Sequence, residues 1–217
     1  MLIACWSPKG GSGTTVVATA LALLLARSSP DGVLFADLGG DVPAVLGVSE
    51  PDGPGLSEWL ATDGDVPRDA LRRLAVDVGQ GLHLLPRGRS LCDGGAVRTD
   101  ELIGTLADDG RPVVVDCGPG PAGAGLAVAE RASLSLLVLR PCYLALRRAA
   151  NFPVRPSGVI LVNEPGHSFS RGDVESVLGV PVRAEILLHD AIARAVDCGL
   201  LNRRVPRVLE RALEGAA

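Results

Sequence analysis

The apolar run Leu2-Ile3-Ala4-Cys5-Trp6 leads into the glycine-rich stretch Pro8-Lys9-Gly10-Gly11-Ser12-Gly13-Thr14-Thr15. The residues that follow, 16–26, are apolar and predict a buried helix. A strand, a glycine-rich loop and a helix in this order are typical of loops whose backbone N–H groups bind phosphate, with the helix N-terminus aimed at the same anion. The plainer interpretation is an ordinary glycine-rich turn. We expect a phosphate-binding loop, because the stretch lies directly between the two elements.

The rest of the chain continues to alternate between strands and helices. Its apolar runs are continuous rather than alternating, as expected for strands covered on both faces. The pattern predicts one α/β domain over residues 1–217, with a doubly wound, mostly parallel sheet and helices on both faces. The predicted strands are Leu2–Trp6, Val33–Ala36, Leu82–Leu85, Val113–Val115, Leu134–Leu139, Val159–Val162 and Arg183–Leu187. The predicted helices are Thr15–Arg27, Leu56–Ala61, Arg68–Leu74, Glu101–Ala107, Leu126–Arg131, Leu144–Ala150, Gly172–Leu178, Ala191–Cys198 and Arg207–Leu213.

Composition and charge argue against several classes of function. The net charge of −4 gives the chain no overall field that would attract nucleic acid. The cysteines are scattered and form no C-x-x-C pair, so neither a disulfide framework nor a zinc site is predicted. The five are Cys5, Cys92, Cys117, Cys142 and Cys198. No signal peptide is visible and the run 16–26 is too short to cross a bilayer, so we expect a cytoplasmic protein without stable membrane insertion.

One position of the loop departs from the usual phosphate-binding pattern. A standard phosphate loop reads G-x-x-x-x-G-K-[ST], and Thr14 stands where that pattern has lysine. Lys9 is the only lysine of the chain, against twenty arginines. The hydroxyl of Thr15 remains as a candidate Mg²⁺ ligand. Backbone N–H groups and Thr15 are therefore the expected phosphate and metal contacts of this loop.

These residues resemble the deviant Walker A motif of the ParA/MinD ATPases. That motif reads K-G-G-x-G-K-[ST], and residues 9–15 match six of its seven positions. Residues 33–38 look like the family's second strand, which ends in D-x-D, and 113–120 look like its Walker B strand. Residues 159–163 resemble the strand whose final asparagine reads adenine. Two later stretches, 136–149 and 190–195, also resemble family segments, so the likeness covers nearly the whole chain.

The resemblance implies a role for each matching residue. It implies ATP and Mg²⁺ as cofactors, and a nucleotide-dependent homodimer in which Lys9 reaches the partner's phosphates. The implied nucleotide-binding residues are Gly10, Gly11, Ser12, Gly13, Thr14, Thr15 and Asn163. The implied metal site comprises Thr15, Asp37 and Asp116, and the implied catalytic residues are Lys9 and Asp37.

Two substitutions in this pattern bear on catalysis. The second lysine of the motif, which bridges the β- and γ-phosphates in the family, is Thr14, and the second aspartate of D-x-D, which positions the attacking water, is Gly39. Loss of a preorganised cation costs several kcal/mol of transition-state stabilisation. We expect an ATP-binding positioning or partitioning protein whose ATPase activity, if present, is slow and Mg²⁺-dependent. The alternative is a non-catalytic scaffold that acts through protein–protein interaction.

The sequence leaves more than one candidate for the surface that binds a partner. A small or hydroxylated residue at the second lysine resembles the TadZ/CpaE-like branch, which implies a polar or pilus protein as partner. Two groups of arginines are candidates for non-specific DNA binding, but solvated helix faces are the plainer interpretation. They are Arg147, Arg148 and Arg155, and Arg203, Arg204, Arg207 and Arg211. The three histidines, His83, His167 and His189, are too far apart in sequence to predict a metal site.

Overall fold

The computed structural model describes residues 1–64, 66–67, 69–90, 95–166 and 169–217, and it contains an extended sheet with helices on both faces. The strands are β1 (Leu2–Ser7), β2 (Val33–Asp37), β3 (Val76–Asp77), β4 (Leu82–Leu85), β5 (Val113–Pro119), β6 (Leu134–Leu139), β7 (Gly158–Asn163) and β8 (Val182–Leu187). The helices are α1 (Thr14–Ser28), α2 (Val42–Leu46), α3 (Leu56–Ala61), α4 (Ala70–Arg73), α5 (Ala96–Ala107), α6 (Gly123–Arg131), α7 (Tyr143–Ala150), α8 (Arg171–Leu178), α9 (Asp190–Asp197) and α10 (Arg207–Leu213).

The sheet has the topology of a doubly wound α/β fold. Over the described residues its strand order is β3-β4-β2-β5-β1-β6-β7-β8. Every neighbouring pair is parallel except β3–β4 at the edge. The predicted fold class is confirmed. Because the strands are parallel, the carboxyl ends of β2, β5, β1 and β7 all lie along one edge of the sheet, where ligands bind in open α/β sheets.

Two apolar layers cover the sheet. One face packs against α1, α2, α9 and α10, and the other packs against α3, α5, α6 and α7. The interior strands are buried at every position of β1, β2 and β6, which explains their continuous apolar runs. Trp6 is fully buried, donates from Nε1 to Ser135 Oγ at 3.0 Å and stacks on Phe152 at 4.8 Å. The polar end of the indole is therefore satisfied inside the core.

Seven strands were predicted, and each of them is present with ends that differ by a few residues at most. The short elements β3 and α2 were missed, because two exposed residues and five residues respectively are too few for a periodic signal. The helix predicted from Glu101 begins instead at Ala96. The first turn of α5 contains Arg98, which is buried and lies 5.2 Å from the centre of the Trp59 ring. An arginine gives no apolar signal in the sequence, so this turn was not recognised as part of the helix. Arg68, the predicted start of α4, lies outside the described residues.

The C-terminal helix packs on the domain. Leu209 and Leu213 of α10 are buried, and Glu210 forms an ion pair with Arg27 of α1. None of the helices in the described parts of the chain combines the length and the apolar character needed to cross a membrane.

A glycine pair joins α2 to the turn after α9. Gly47 has φ +70°, and a Cβ built on it would lie 2.0 Å from the carbonyl oxygen of Gly199. Gly47→Ala therefore adds a backbone clash to the left-handed strain, and we expect it to lower the free energy of unfolding by about 3 kcal/mol or more. Gly79→Ala is the matched control, because Gly79 has φ +84° with no atom within 4 Å of its Cβ position. The control is expected to cost about 1 kcal/mol in urea denaturation. Equal losses in the two variants would contradict the close approach.

Candidate functional site

The glycine-rich loop between β1 and α1 is open. Gly11 and Gly13 have φ +78° and +82°, which other residues adopt only with strain. No atom lies within 4 Å of the Cβ positions of Gly10, Gly11 or Gly13, so the inner side of the loop has room for a ligand. The carbonyl oxygen of Lys9 accepts hydrogen bonds from Ser7 Oγ at 2.9 Å and Ser12 Oγ at 3.2 Å. The loop is thus held in shape by two serine hydroxyls.

The side chains of this loop differ in exposure. Thr14, at the position of the missing lysine, is buried at the start of α1, with 6% of its surface exposed. Thr15 is half-buried, and its hydroxyl is near enough to the carboxyl of Asp116 to oppose the rise in that group's pKa. Lys9 is also half-buried and forms no ion pair with any carboxylate in the described residues. Its ammonium group is therefore available to a negative group from outside this chain.

Asp116 is the buried acidic group closest to the loop. It lies on β5 beside Cys5 of β1 and is fully buried. Its Oδ1 accepts from the Gly118 N–H at 3.0 Å, whereas Oδ2 has no hydrogen-bond partner. Burial raises the pKa of the Asp116 carboxyl, and the Thr15 hydroxyl opposes that shift. A buried carboxylate oxygen without a partner is costly, and a bound cation would relieve the cost.

Asp37 lies next to Asp116, opposite it in the β2–β5 pair. Both of its carboxyl oxygens are engaged: Oδ1 accepts from Gly40 N–H at 2.6 Å and Oδ2 accepts from Val42 N–H at 3.1 Å. Asp37 therefore holds the turn that leads into α2, a role that the sequence motif did not show. Burial, together with the neighbouring charge of Asp116, raises the pKa of Asp37 to about 7.

Gly39, in the loop after β2, lies against Asp116 and the loop after β5. A Cβ on Gly39 would lie 3.1 Å from Asp116 Oδ2 and 3.4 Å from the Cα of Gly118. A side chain here would press on the one oxygen of Asp116 that lacks a partner. The described residues contain no group of three or more His, Cys, Asp or Glu side chains that could hold a metal ion. A cation at Asp116 would thus depend on Thr15 and on oxygen atoms of its own ligand.

Asn163 lies at the carboxyl end of β7, on the other side of β1 from Asp116. Its Nδ2 donates to Glu185 Oε2 at 3.3 Å, and its Oδ1 is buried without a partner. A cavity of about 360 Å³ adjoins this region and begins at Gly13. Apolar side chains of Val16, Val162 and Leu188 contribute to its wall. Asn163 itself is not among the residues that line this cavity.

The remaining candidates lie elsewhere. His83 is half-buried in β4, and His189 accepts from the Ala191 N–H as the N-cap of α9. Burial raises the pKa of the Cys117 thiol well above its usual range, so this group is unreactive. All seven arginines of the two predicted basic groups are exposed. His167 and Cys92 lie outside the described residues.

The two buried carboxyl groups predict an unusual pH dependence. Folding raises both pKa values, that of Asp37 to about 7, so the folded chain binds more protons than the unfolded chain above the ordinary aspartate pKa. The free energy of unfolding should therefore fall as pH rises from 5 to 8, by up to about 1.4 kcal/mol per pH unit for each proton. Urea denaturation across this range measures the slope.

Asp37→Asn should reduce this slope, because it removes one titrating group. Asp109→Asn is the control: Arg111 holds the pKa of Asp109 below its usual range, so that group does not titrate between pH 5 and 8. The Asp109 variant should keep the wild-type slope even if it is less stable throughout. A flat profile for the wild type would show that the two carboxyl groups are not shifted upward.

Comparison with known proteins gives a relative that is an ATP-binding protein. No family model matches the sequence. An uncharacterized ATP-binding protein of Methanocaldococcus jannaschii is 29% identical over 207 residues, covering 86% of this chain and 74% of that protein.

Three solved structures have the same fold. A ParA family ATPase from Chlorobium tepidum superposes with a TM-score of 0.77 at 20% identity, covering 98% of this chain and 96% of that one. The septum site-determining protein MinD from Pyrococcus horikoshii, complexed with Mg-ADP, superposes with a TM-score of 0.76 at 20% identity, covering 99% of this chain and 93% of that one. Apo McdA from Cyanothece gives 0.76 at 19% identity, covering 99% and 97%. The chain thus has the fold of the ParA/MinD ATPases, and its resemblance to that family, first seen in the motifs, extends over its whole three-dimensional structure.

Proposed function

We propose that this chain binds ATP with Mg²⁺ at the β1–α1 loop and dimerises around the nucleotide to position or partition a cargo. The observation that carries the proposal is the partnerless Oδ2 of the fully buried Asp116, beside Thr15 and an open glycine loop. The ATP-binding relative and the Mg-ADP complex of a protein with the same fold support it. A bound Mg²⁺ ion would neutralise phosphate charge at this point.

Each residue of the site has a role in this proposal. The backbone N–H groups of residues 10–15 and the N-terminus of α1 receive the phosphates. Thr15 and Asp116 hold the cation, and Asn163 Oδ1 accepts from the amino group of the base. Lys9 extends to the phosphates bound by the partner protomer, which accounts for the absence of an ion pair within its own described chain. Asp37 positions the turn at 38–42, and any direct contact of its carboxyl with the metal must compete with two backbone N–H groups.

Slow hydrolysis follows from two features of this site. Thr14 carries no charge and is buried, so it does not place a cation on the transferring phosphate. Gly39 has no carboxylate to orient the attacking water. Removal of one preorganised group from a phosphoryl or acyl transfer site typically lowers the rate by about 10²–10³. Binding depends mostly on backbone groups and is affected less.

A non-catalytic scaffold is the second candidate function. It is favoured by the packing at Gly39, whose Cβ position is 3.1 Å from Asp116 Oδ2 and so leaves little room for a carboxylate. In that case the nucleotide stabilises the fold or the dimer and is not turned over. The cargo would be reached through a surface such as the exposed arginines or through a polar or pilus protein, as in TadZ/CpaE-like proteins; a cytoplasmic location accords with either function.

Nucleotide titration with simultaneous measurement of mass tests the first function. The wild-type chain should bind Mg-ATP and a non-hydrolysable analogue and convert to a dimer, while Mg-ADP leaves it monomeric. Lys9→Ala should bind nucleotide within about threefold of wild type but stay monomeric, because Lys9 contacts only the partner's phosphates. Arg204→Ala, which removes an exposed cation outside the glycine-rich loop, is the control and should dimerise normally. Failure to bind at millimolar ATP would reject both the switch and the nucleotide-bound scaffold.

A variant that restores the missing lysine and aspartate distinguishes a slow ATPase from a non-catalytic scaffold. Thr14→Lys together with Gly39→Asp should raise the steady-state ATPase rate by about 10²–10³ over wild type, because the cation and the carboxylate are returned. Gly39→Asp alone should give no gain, since it brings a like charge against Asp116 without the cation. Urea denaturation of each variant checks that it folds. A folded double variant with the wild-type rate would favour the scaffold.

A further inference from the structure

A second cavity lies on the opposite face of the sheet from α1. It has a volume of about 360 Å³ and opens between the loop after β2 and the loop after β5. Its wall includes Leu38, Gly39, Ser57, Leu60, Arg87 and Pro121. None of the residues that line it belongs to the glycine-rich loop 9–15, but Gly39 and Gly118 place the cavity beside Asp116, next to the nucleotide site proposed above.

Two polar side chains in the wall are held together by backbone contacts. The N–H of Ser57 donates to the carbonyl oxygen of Arg87 at 2.8 Å, and the N–H of Leu56 donates to Pro86 at 2.9 Å. Gly55 is in tight contact with the same segment, because a Cβ there would lie 2.3 Å from the nitrogen of Gly88. The start of α3 and the residues after β4 therefore form one rigid unit that fixes Ser57 next to Arg87.

Both of these side chains have unused hydrogen-bonding capacity. Ser57 is 93% buried, since 7% of its surface is exposed, and its hydroxyl bonds to no group in the described residues. Arg87 is half-buried and donates from Nη1 to the carbonyl oxygen of Gly39 at 3.0 Å. No carboxylate of the described chain pairs with Arg87. Most of the five N–H donors of its guanidinium are thus available to a ligand.

The third polar element of the wall is the beginning of α6. This helix, Gly123–Arg131, starts after Ala122, which has no side-chain acceptor to cap the first N–H groups. Ala122, Ala124 and Gly125 all line the cavity. Neither Asp37 nor Asp116 lines the cavity. Asp37 and the Oδ1 of Asp116 accept hydrogen bonds from backbone N–H groups of their own loops, whereas the Oδ2 of Asp116 lies 3.1 Å from the Cβ position of Gly39.

We propose that this cavity is an oxyanion site, in which Arg87, Ser57 and the N-terminus of α6 bind the phosphate group of a small molecule. A guanidinium, a buried hydroxyl and an uncapped helix N-terminus each supply hydrogen-bond donors, which is what a phosphate group requires. The apolar part of the wall, including Leu38 and Leu60, leaves room for an organic group beyond the phosphate. Because Arg87 also bonds to Gly39, a ligand here would contact the loop that lies against Asp116.

Two probes distinguish the source of the phosphate. Inorganic phosphate and phenyl phosphate are titrated into the full chain by calorimetry, with Mg-ADP present to occupy the glycine loop. Tighter binding of phenyl phosphate assigns the site to phosphate monoesters, and equal affinity assigns it to free phosphate. A crystal grown with selenate locates the anion directly through the anomalous signal of selenium.

The expected result is an anomalous peak between Arg87 and Ser57, with at least tenfold weaker phosphate binding in Arg87→Gln and in Ser57→Ala. Ser57→Ala removes a single oxygen and provides the variant least able to disturb the fold. Arg89→Gln is the control, because Arg89 is exposed and pairs with Asp52 outside the cavity. The proposal is overturned if selenate occupies only the glycine loop, or if both variants bind phosphate as wild type does. Mg-ATP affinity, measured separately, reports on the nucleotide site whatever the outcome here.

Discussion

Two carboxyl groups, Asp37 and Asp116, are buried side by side at the ends of the adjacent parallel strands β2 and β5. Burying a carboxylate is unfavourable unless hydrogen bonds or a cation compensate it. The chain compensates Asp37 with two backbone N–H groups from the turn that begins α2. It compensates only one oxygen of Asp116, and this partial compensation is the reason we propose a cation at that edge of the sheet.

The rest of the site is arranged around this constraint. The glycine loop stays open because Gly11 and Gly13 adopt positive φ, and Thr15 brings a hydroxyl to the same carboxyl that lacks a partner. Gly39 allows the β2 loop to lie against Asp116, which a larger residue would prevent without movement. The groups proposed for binding are thus present, while the two groups that would accelerate phosphoryl transfer are replaced by Thr14 and Gly39. Such a site suits a protein in which nucleotide occupancy matters more than turnover.

Much of the fold was predictable because it depends on local pattern. Continuous apolar runs predicted seven of the strands. The glycine loop between β1 and α1 predicted the edge of the sheet at which we propose that the ligand binds. The start of α5 was not predictable, since Arg98 is buried through contacts with residues distant in sequence, the Trp59 ring and the carbonyl oxygens of Thr62 and Gly64. The bonds of Asp37 depend on the backbone path of 38–42, which no motif specifies. The pairing of Ser57 with Arg87 arises from one backbone hydrogen bond across thirty residues of sequence, so it became visible only in three dimensions.

In the proposed function, Asp116 is the residue through which a cation strengthens nucleotide binding. The most direct test is calorimetric titration of the purified chain with ATP, with and without Mg²⁺, in the wild type and in Asp116→Asn. We expect Mg²⁺ to tighten ATP binding at least tenfold in the wild type, and most of this gain to be lost in the variant because an amide oxygen carries no charge. An equal effect of Mg²⁺ in both proteins, or no effect in either, would contradict it.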